Sequence, residues 1–256
     1  MLNFSNTNKI FSVLLIIAFG SDLYYGISAY AYLVLYLLYS VIFFYGVFNI
    51  EANFFTESIC AKATTDKVCA LSFDDGPSDY TLEILQILKE QQIKAAFFCI
   101  GKNILAREGV FQQIHRQGHL IGNHSYCHHL LFDFFFSKPM LKDLKCMDAV
   151  VQNLIGLQPR LFRPPFGVTN PWLNKAIRLG NYISVGWSAR SLDTMISDEE
   201  KLLKRAMNSL KPGAVYLFHD TNKTTLAILP GFIKQVIAND YKIVRLDDML
   251  NLPAYK

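Results

Sequence analysis

No two cysteines in this sequence stand at C-x-x-C spacing. The five, Cys60, Cys69, Cys99, Cys127 and Cys146, are scattered, which argues against a thiolate zinc knuckle or a thioredoxin-type dithiol. An odd number leaves at least one thiol unpaired in a monomer, so the count does not fix the redox compartment. No G-x-G-x-x-G follows the first apolar strand of the globular region, and a dinucleotide-binding fold therefore has no support. Tandem repeats, low-complexity tracts and basic runs are absent as well. The net charge of +4 is spread through the C-terminal region and gives no reason to expect a nucleic acid.

Charge itself is scarce, and the scarcity is local. Only 18% of the 256 residues are charged, and from Ile10 to Ile50 the sole formal charge is Asp22. The run "ISAYAYLVLYLLYSVIFFYGVFNI" at 27–50 has none. A membrane-spanning helix needs about 20 such residues. The tyrosines suit an interfacial belt, and the run exceeds an ordinary globular helix. The earlier run, "IFSVLLIIAFG" at 10–20, has two readings. It is either a first span reaching past Asp22 to Tyr25 or the apolar core of a signal peptide, with Ala18 and Gly20 spaced for cleavage. We take the hairpin. Lys9, Lys62 and Lys67 then share one side of the membrane and hardly decide which side it is. Residues 1–50 are expected to form a membrane anchor of one or two transmembrane helices, 51–67 a connector, and 68–256 a globular domain.

From Val68 onward short apolar runs alternate with amphipathic ones. Strands are predicted at 68–73, 95–100, 119–123, 160–162, 182–187, 214–218 and 241–246. Helices are predicted at 81–91, 140–156 and 198–210. Strand–helix alternation repeated about seven times predicts a parallel sheet, either open or closed into a barrel.

The polar residues that follow the strands carry the chemistry. "SFDDGP" places Asp74 and Asp75 at the end of the first strand. "NHSYCHH" follows the third, with His124 and His128 four apart. "RPPFG" follows the fourth, with Arg163, Pro165 and Phe166. "WSARSLDT" follows the fifth, with Trp187 and Asp193, and "LFHD" ends the sixth at His219. In parallel α/β proteins the C-terminal strand ends share one face, where sites are built. Two adjacent carboxylates repel, and burial strengthens the repulsion. His-x-x-x-His with an aspartate is a divalent-metal ligand set, its i and i+4 side chains meeting if they sit on a helical turn. One aspartate then ligates the metal, whose charge offsets the repulsion. The other stands beside a water, placed to take its proton. Among the remaining residues, His119 is expected to pack or hydrogen-bond, and His115 and His129 to lie at the surface. Cys127 reads as a small residue packed in a turn. Trp172 is expected in the core; for Trp187, core packing and sugar stacking both stay open.

"SFDDGP", "HSYCH", "RPPFG", the "SLDT" segment and "LFHD" resemble, in order, the five motifs of the polysaccharide deacetylase family, the carbohydrate esterases that include chitin and peptidoglycan deacetylases. The resemblance spans about residues 66–250. It implies a distorted (β/α) barrel of fewer than eight strands, about seven here. It implies a divalent metal, zinc before cobalt, nickel or iron, held by Asp75, His124 and His128. It also implies Asp74 as general base, His219 as general acid, Arg163 orienting Asp74, and Asp193 paired with His219. Leu217 would line an acetyl pocket, and the Phe166 backbone N–H would hold an oxyanion. Pro165 and Trp187 complete the expected substrate wall. The fourth motif departs from the family's Asp-x-x-Asp-Trp, with Arg190 and Thr194 in place of the first acid and the Trp. The implied function is metal-dependent removal of N-acetyl groups from a glycan or peptidoglycan-type amino sugar. Deacetylation or deformylation of a lipid-linked sugar is the alternative, and a non-catalytic glycan-binding module is a third reading. The family implies a bacterial cell membrane, with the catalytic domain expected on the extracytoplasmic side.

Overall fold

Side-chain alternation along the strands decides what the sheet encloses. The computed structural model describes residues 2–256. Its strands are β1 (Ser58–Ile59), β2 (Val68–Asp74), β3 (Ala96–Cys99), β4 (Leu120–Asn123), β5 (Leu161–Phe162), β6 (Ile183–Val185), β7 (Ala189–Arg190), β8 (Ala214–His219) and β9 (Lys242–Ile243). They pair in the order β1-β6-β5-β4-β3-β2-β8-β7, with β9 beside the start of β2. Every pairing is parallel. All seven expected strands are present. The two additional ones, β1 and β7, are two residues long, too short to leave a period in the sequence.

The sheet curls into an open, distorted barrel. Ala70, Ala96, Phe98, Leu120, Leu161, Val185 and Val215 face one another inside it. Leu246, Met249 and Ala254 from the C-terminal segment join them, at the end where β9 meets Val68 and Cys69. The intervening residues, such as Cys69, Leu71, Phe73, Phe97, Tyr216 and Phe218, face outward under the helices. Edge strands β1 and β7 do not pair with each other; the chain after β1 crosses to β8 through a bridge between Ala61 and Ala214.

The charge-free N-terminal region forms two helices, α1 (Phe4–Tyr25) and α2 (Ala29–Phe48), each long and apolar enough to cross a membrane. Gly26, at φ 64°, turns the chain between them, and the Ser28 hydroxyl caps α2. Two side-chain hydrogen bonds tie the pair together. The Tyr39 hydroxyl donates to Asn8 Oδ1 at 2.8 Å, and the Tyr32 hydroxyl donates to Asp22 Oδ2 at 3.2 Å. At a rise of about 1.5 Å per residue the hairpin extends about 30 Å, the thickness of a bilayer's hydrocarbon core.

The base of the hairpin is fastened to the barrel. The Phe4 N–H donates to the Phe54 carbonyl at 2.9 Å. Phe4, Phe43, Phe54 and Phe55 pack edge to face around that bond. Gly46 lies so close to Phe54 that a Cβ would come within 2.2 Å of its ring. Residues 51–67 carry β1, which joins the sheet beside β6.

Candidate active site

The inward-facing register that builds the barrel core also places the site. On β2, Ala70, Ser72 and Asp74 share the inner face, and on β8, Val215, Leu217 and His219 do. β4 continues from Leu120 to His124 and β5 from Leu161 to Arg163 with the same alternation. Asp74, His124, Arg163 and His219 therefore project into the same mouth, at the C-terminal strand ends.

Arg163 is fully buried and spends its donors inside the protein. Nη1 donates to Asp74 Oδ1 at 2.8 Å and to Ser72 Oγ at 2.7 Å. Nη2 donates to the Gly186 carbonyl at 2.9 Å, and its guanidinium lies 4.1 Å from the centre of the Phe98 ring. One oxygen of the Asp74 side chain is thereby fixed in place. Its other oxygen, Oδ2, lies 3.8 Å from His124 Nε2. Ser72 was not singled out in the sequence, although a serine two residues before Asp74 in an apolar strand is its visible signal.

Asp75 follows the strand in the left-handed region, at φ 73°. That turn sends its carboxylate towards the histidines. Oδ1 lies 3.4 Å from His124 Nε2 and 3.6 Å from His128 Nε2, and Oδ2 lies 4.0 Å from His219 Nε2. Burial pushes the Asp75 carboxyl up, but the three imidazoles outweigh it and hold the group at about 2. His124 Nδ1 is 2.8 Å from the Arg163 carbonyl, which can accept its N–H and fixes the ring with Nε2 turned to the aspartates. Burial alone would lower His124, but Asp74 and Asp75 raise it. His128 is lowered by burial and by the neighbouring His124 ring.

The expected helical turn between the two histidines is absent. Ser125 (φ 71°) and His128 (φ 46°) are left-handed, and the His128 N–H donates to Ser125 Oγ at 2.9 Å. This loop brings the two rings to 4.9 Å. Residues of a loop reach the same convergence as i and i+4 on a helix, by a local hydrogen bond the spacing did not reveal.

One ligand atom from each of Asp75, His124 and His128 lies within 4.8 Å of the other two. Asp75 Oδ1 is buried and has no hydrogen-bond donor. An unpartnered anionic oxygen facing two imidazole nitrogens fits a divalent cation, which supplies the missing partner.

His219 stands across the mouth. Its Nδ1 is 2.7 Å from Asp193 Oδ1. Burial lowers its pKa, but Asp193 outweighs this and carries it up to about 9. Asp193 itself would be raised by burial; bonds from His219 and Thr225 lower it. The Thr225 hydroxyl donates to Asp193 Oδ2 at 2.6 Å, a partner that no motif marked. Behind the Asp-Asp-Gly-Pro turn lies buried Asp220, pushed up to about 7, chiefly by burial. It accepts from the Thr81 hydroxyl at 2.5 Å, and its main-chain carbonyl accepts from the Ser78 hydroxyl.

The four residues expected along the substrate lie near the same strand ends. Leu217 and Pro165 are buried. Phe166, in left-handed conformation, sets its ring edge-on to His128 at 4.7 Å. Trp187 is half-buried between Gly167, Arg163 and Arg190. His119 packs in the core and accepts the Ala95 N–H through Nδ1 at 3.1 Å. All five cysteines are free. Trp172 is not in the core: it is 46% exposed, against Phe136.

Residues 61–182 match the family model described as polysaccharide deacetylase. The peptidoglycan-N-acetylglucosamine deacetylase PgdA of Listeria monocytogenes is 31% identical over 189 residues, which cover 73% of this chain and 40% of that protein. This chain thus spans less than half the length of that relative. A peptidoglycan-N-acetylglucosamine deacetylase of Bacillus cereus is 29% identical over 198 residues, covering 73% of this chain and 72% of that one. The crystal structure of the Bc1960 peptidoglycan N-acetylglucosamine deacetylase superposes with a TM-score of 0.74 at 25% identity, covering 78% of this chain and 95% of its own.

Proposed function

The chain belongs to the polysaccharide deacetylase family, and from that premise we propose that it is a metal-dependent hydrolase that removes N-acetyl groups from amino sugars of a peptidoglycan-type glycan. Residues 68–256 form its catalytic domain and residues 1–50 anchor it in the membrane, on the extracytoplasmic side. The observation that carries this reading is the pairing on either side of the ligand cluster. Asp74, fixed by Arg163, and His219, fixed by Asp193, flank Asp75, His124 and His128.

Asp75, His124 and His128 would hold the cation; zinc suits two imidazoles and a carboxylate, and cobalt, nickel and iron accept the same donors. When bound, it polarises the acetamide carbonyl and makes water acidic. Asp74 takes the proton of the attacking water through Oδ2, since Arg163 occupies Oδ1. The Phe166 backbone N–H helps to hold the developing oxyanion. His219, still protonated near neutral pH, gives the Nε2 proton to the leaving nitrogen. Acetate departs and the sugar keeps a free amine. Leu217 lines the acetyl pocket, with Pro165, Phe166 and Trp187 along the sugar. A complete base, acid and ligand set speaks against the non-catalytic module.

A lipid-linked sugar is the second reading, favoured by the attachment of the hairpin to the loop that carries Phe166. The test is release of acetate and of formate from polymeric and lipid-linked amino sugars by the full chain and by Asp74→Asn. Acetate release that requires Asp74 is the expected result. No release from any N-acylated sugar overturns the proposal.

A further inference from the structure

The stretch from Phe166 to Trp172, a loop running into the first turn of the helix Pro171–Leu179, touches three parts of the protein. Phe166 sets its ring edge-on to His128 of the ligand cluster. Thr169 is bonded to the end of the hairpin, its N–H to the Val47 carbonyl at 3.1 Å and its hydroxyl to the Gly46 carbonyl at 3.2 Å. Asn170 and Trp172 hold the segment 130–136. Asn170 Nδ2 donates to the Asp133 carbonyl at 2.8 Å, and Trp172 meets Phe136 edge to face at 5.1 Å.

That segment, "LLFDFFF", is apolar; buried Phe132 roots it in the core, and Leu130, Leu131, Phe134 and Phe136 face outward. Leu130 and Phe134 are each 82% exposed and Phe136 is 65% exposed, with Leu131 and Trp172 beside them. Its one carboxylate, Asp133, has Oδ1 turned out of solvent. Exposed Lys138 and Lys175 follow Phe136 and Trp172 on their helices. Large apolar patches of this kind mark a surface that is covered in use. An apolar tip flanked by lysines fits the headgroup boundary of an anionic bilayer, where aromatic rings settle and cations meet phosphates. Continuity with the hairpin selects this occupant. α2 ends at Phe48, and Val47 already bonds to Thr169, so no free linker separates the loop from the membrane-crossing helix.

We propose that the segment 130–136, with Trp172, docks on the bilayer surface beside the hairpin and sets the active-site mouth against the membrane, so that the preferred substrate is an N-acylated amino sugar held in the bilayer by an apolar tail. This rests on the anchor and hydrolase readings given above. It goes beyond them by assigning the aromatic loop to lipid, and by that placement it selects the lipid-linked sugar over the polymeric glycan.

The chain holds its own reporter. Trp172 and Trp187 are its two tryptophans, so Trp187→Phe leaves Trp172 as the sole indole. The full-length Trp187→Phe chain is reconstituted in vesicles of phosphatidylethanolamine and phosphatidylglycerol, with and without lipids brominated near the headgroup. The expected result is quenching by bromolipid and protection from aqueous iodide. A chain that fails to float with the vesicles overturns the anchor reading and this proposal together. A chain that floats but has Trp172 open to iodide and indifferent to bromolipid overturns this proposal alone. In a second arm, Phe134→Ser/Phe136→Ser in the otherwise native chain should lose about tenfold in rate on a lipid-anchored N-acetylated sugar in vesicles, and keep its rate on a water-soluble N-acetylated oligosaccharide. Equal loss on both substrates, or no loss on either, overturns the substrate assignment. If the native chain acts on neither, the hydrolase reading and the substrate assignment both fall, and quenching still decides the docking.

Discussion

Asp193 grips His219 at two points. Its Oδ2 accepts the His219 main-chain N–H at 2.6 Å, and its Oδ1 lies 2.7 Å from Nδ1. The imidazole is thus fixed in orientation, with Nε2 turned to the mouth. Because Asp193 raises His219 to about 9, the proton donor persists above neutral pH and is lost as pH rises through that value. The stabilisation this pair gives the fold follows the same sign: it is complete below the ordinary histidine range and lost as pH rises through about 9. Asp193→Asn should move the alkaline fall in rate towards the ordinary histidine value of about 6.5. A pH–rate profile with an unmoved alkaline limb would refute the pairing's role.

The acid and the base separate by substrate. His219→Ala should lose on the order of 10²–10⁴ in rate on a sugar acetamide, whose nitrogen leaves only when protonated. On an aryl acetate, whose phenolate leaves unaided, it should stay close to wild type. Equal loss on both substrates would show that His219 acts in some other way.

Asp74→Asn should cost a similar factor on both substrates, because both need a water deprotonated. Metal content should be unchanged, since Asp74 lies outside the ligand cluster. Loss of metal in Asp74→Asn would move that residue into the ligand set.

Metal analysis of the purified chain should give about one divalent ion per molecule, from the three-residue ligand cluster. His124→Ala and His128→Ala should each lower it sharply. Full occupancy in both variants would remove the assignment.

Gly76 sits where a Cβ would come within 2.1 Å of Asp220 Oδ2. Gly76→Ala should therefore displace the turn that carries Asp75 and destabilise the fold by about 1–3 kcal/mol, as overpacking of a tight site does. Thermal unfolding checks this directly; an unchanged Tm would mean that the turn yields freely.

Much of the site was legible along the chain because parallel strands end on one face. A polar residue just past an apolar run has its position set by local periodicity, and Asp74, His124, Arg163 and His219 all follow that rule. The charge-free run at 27–50 likewise announces α2 by composition alone. What the chain did not announce are partners brought together across long sequence separations. Ser72 meets Arg163 ninety-one residues away, and Thr225 meets Asp193 thirty-two residues away. The convergence of His124 and His128 came from left-handed residues in a loop, where no period exists to read. The same holds for the hairpin's seat on Thr169 and for the exposure of Trp172. An apolar residue is marked by its sequence as wanting cover. Whether protein, lipid or nothing covers it is decided only when distant segments fold against one another.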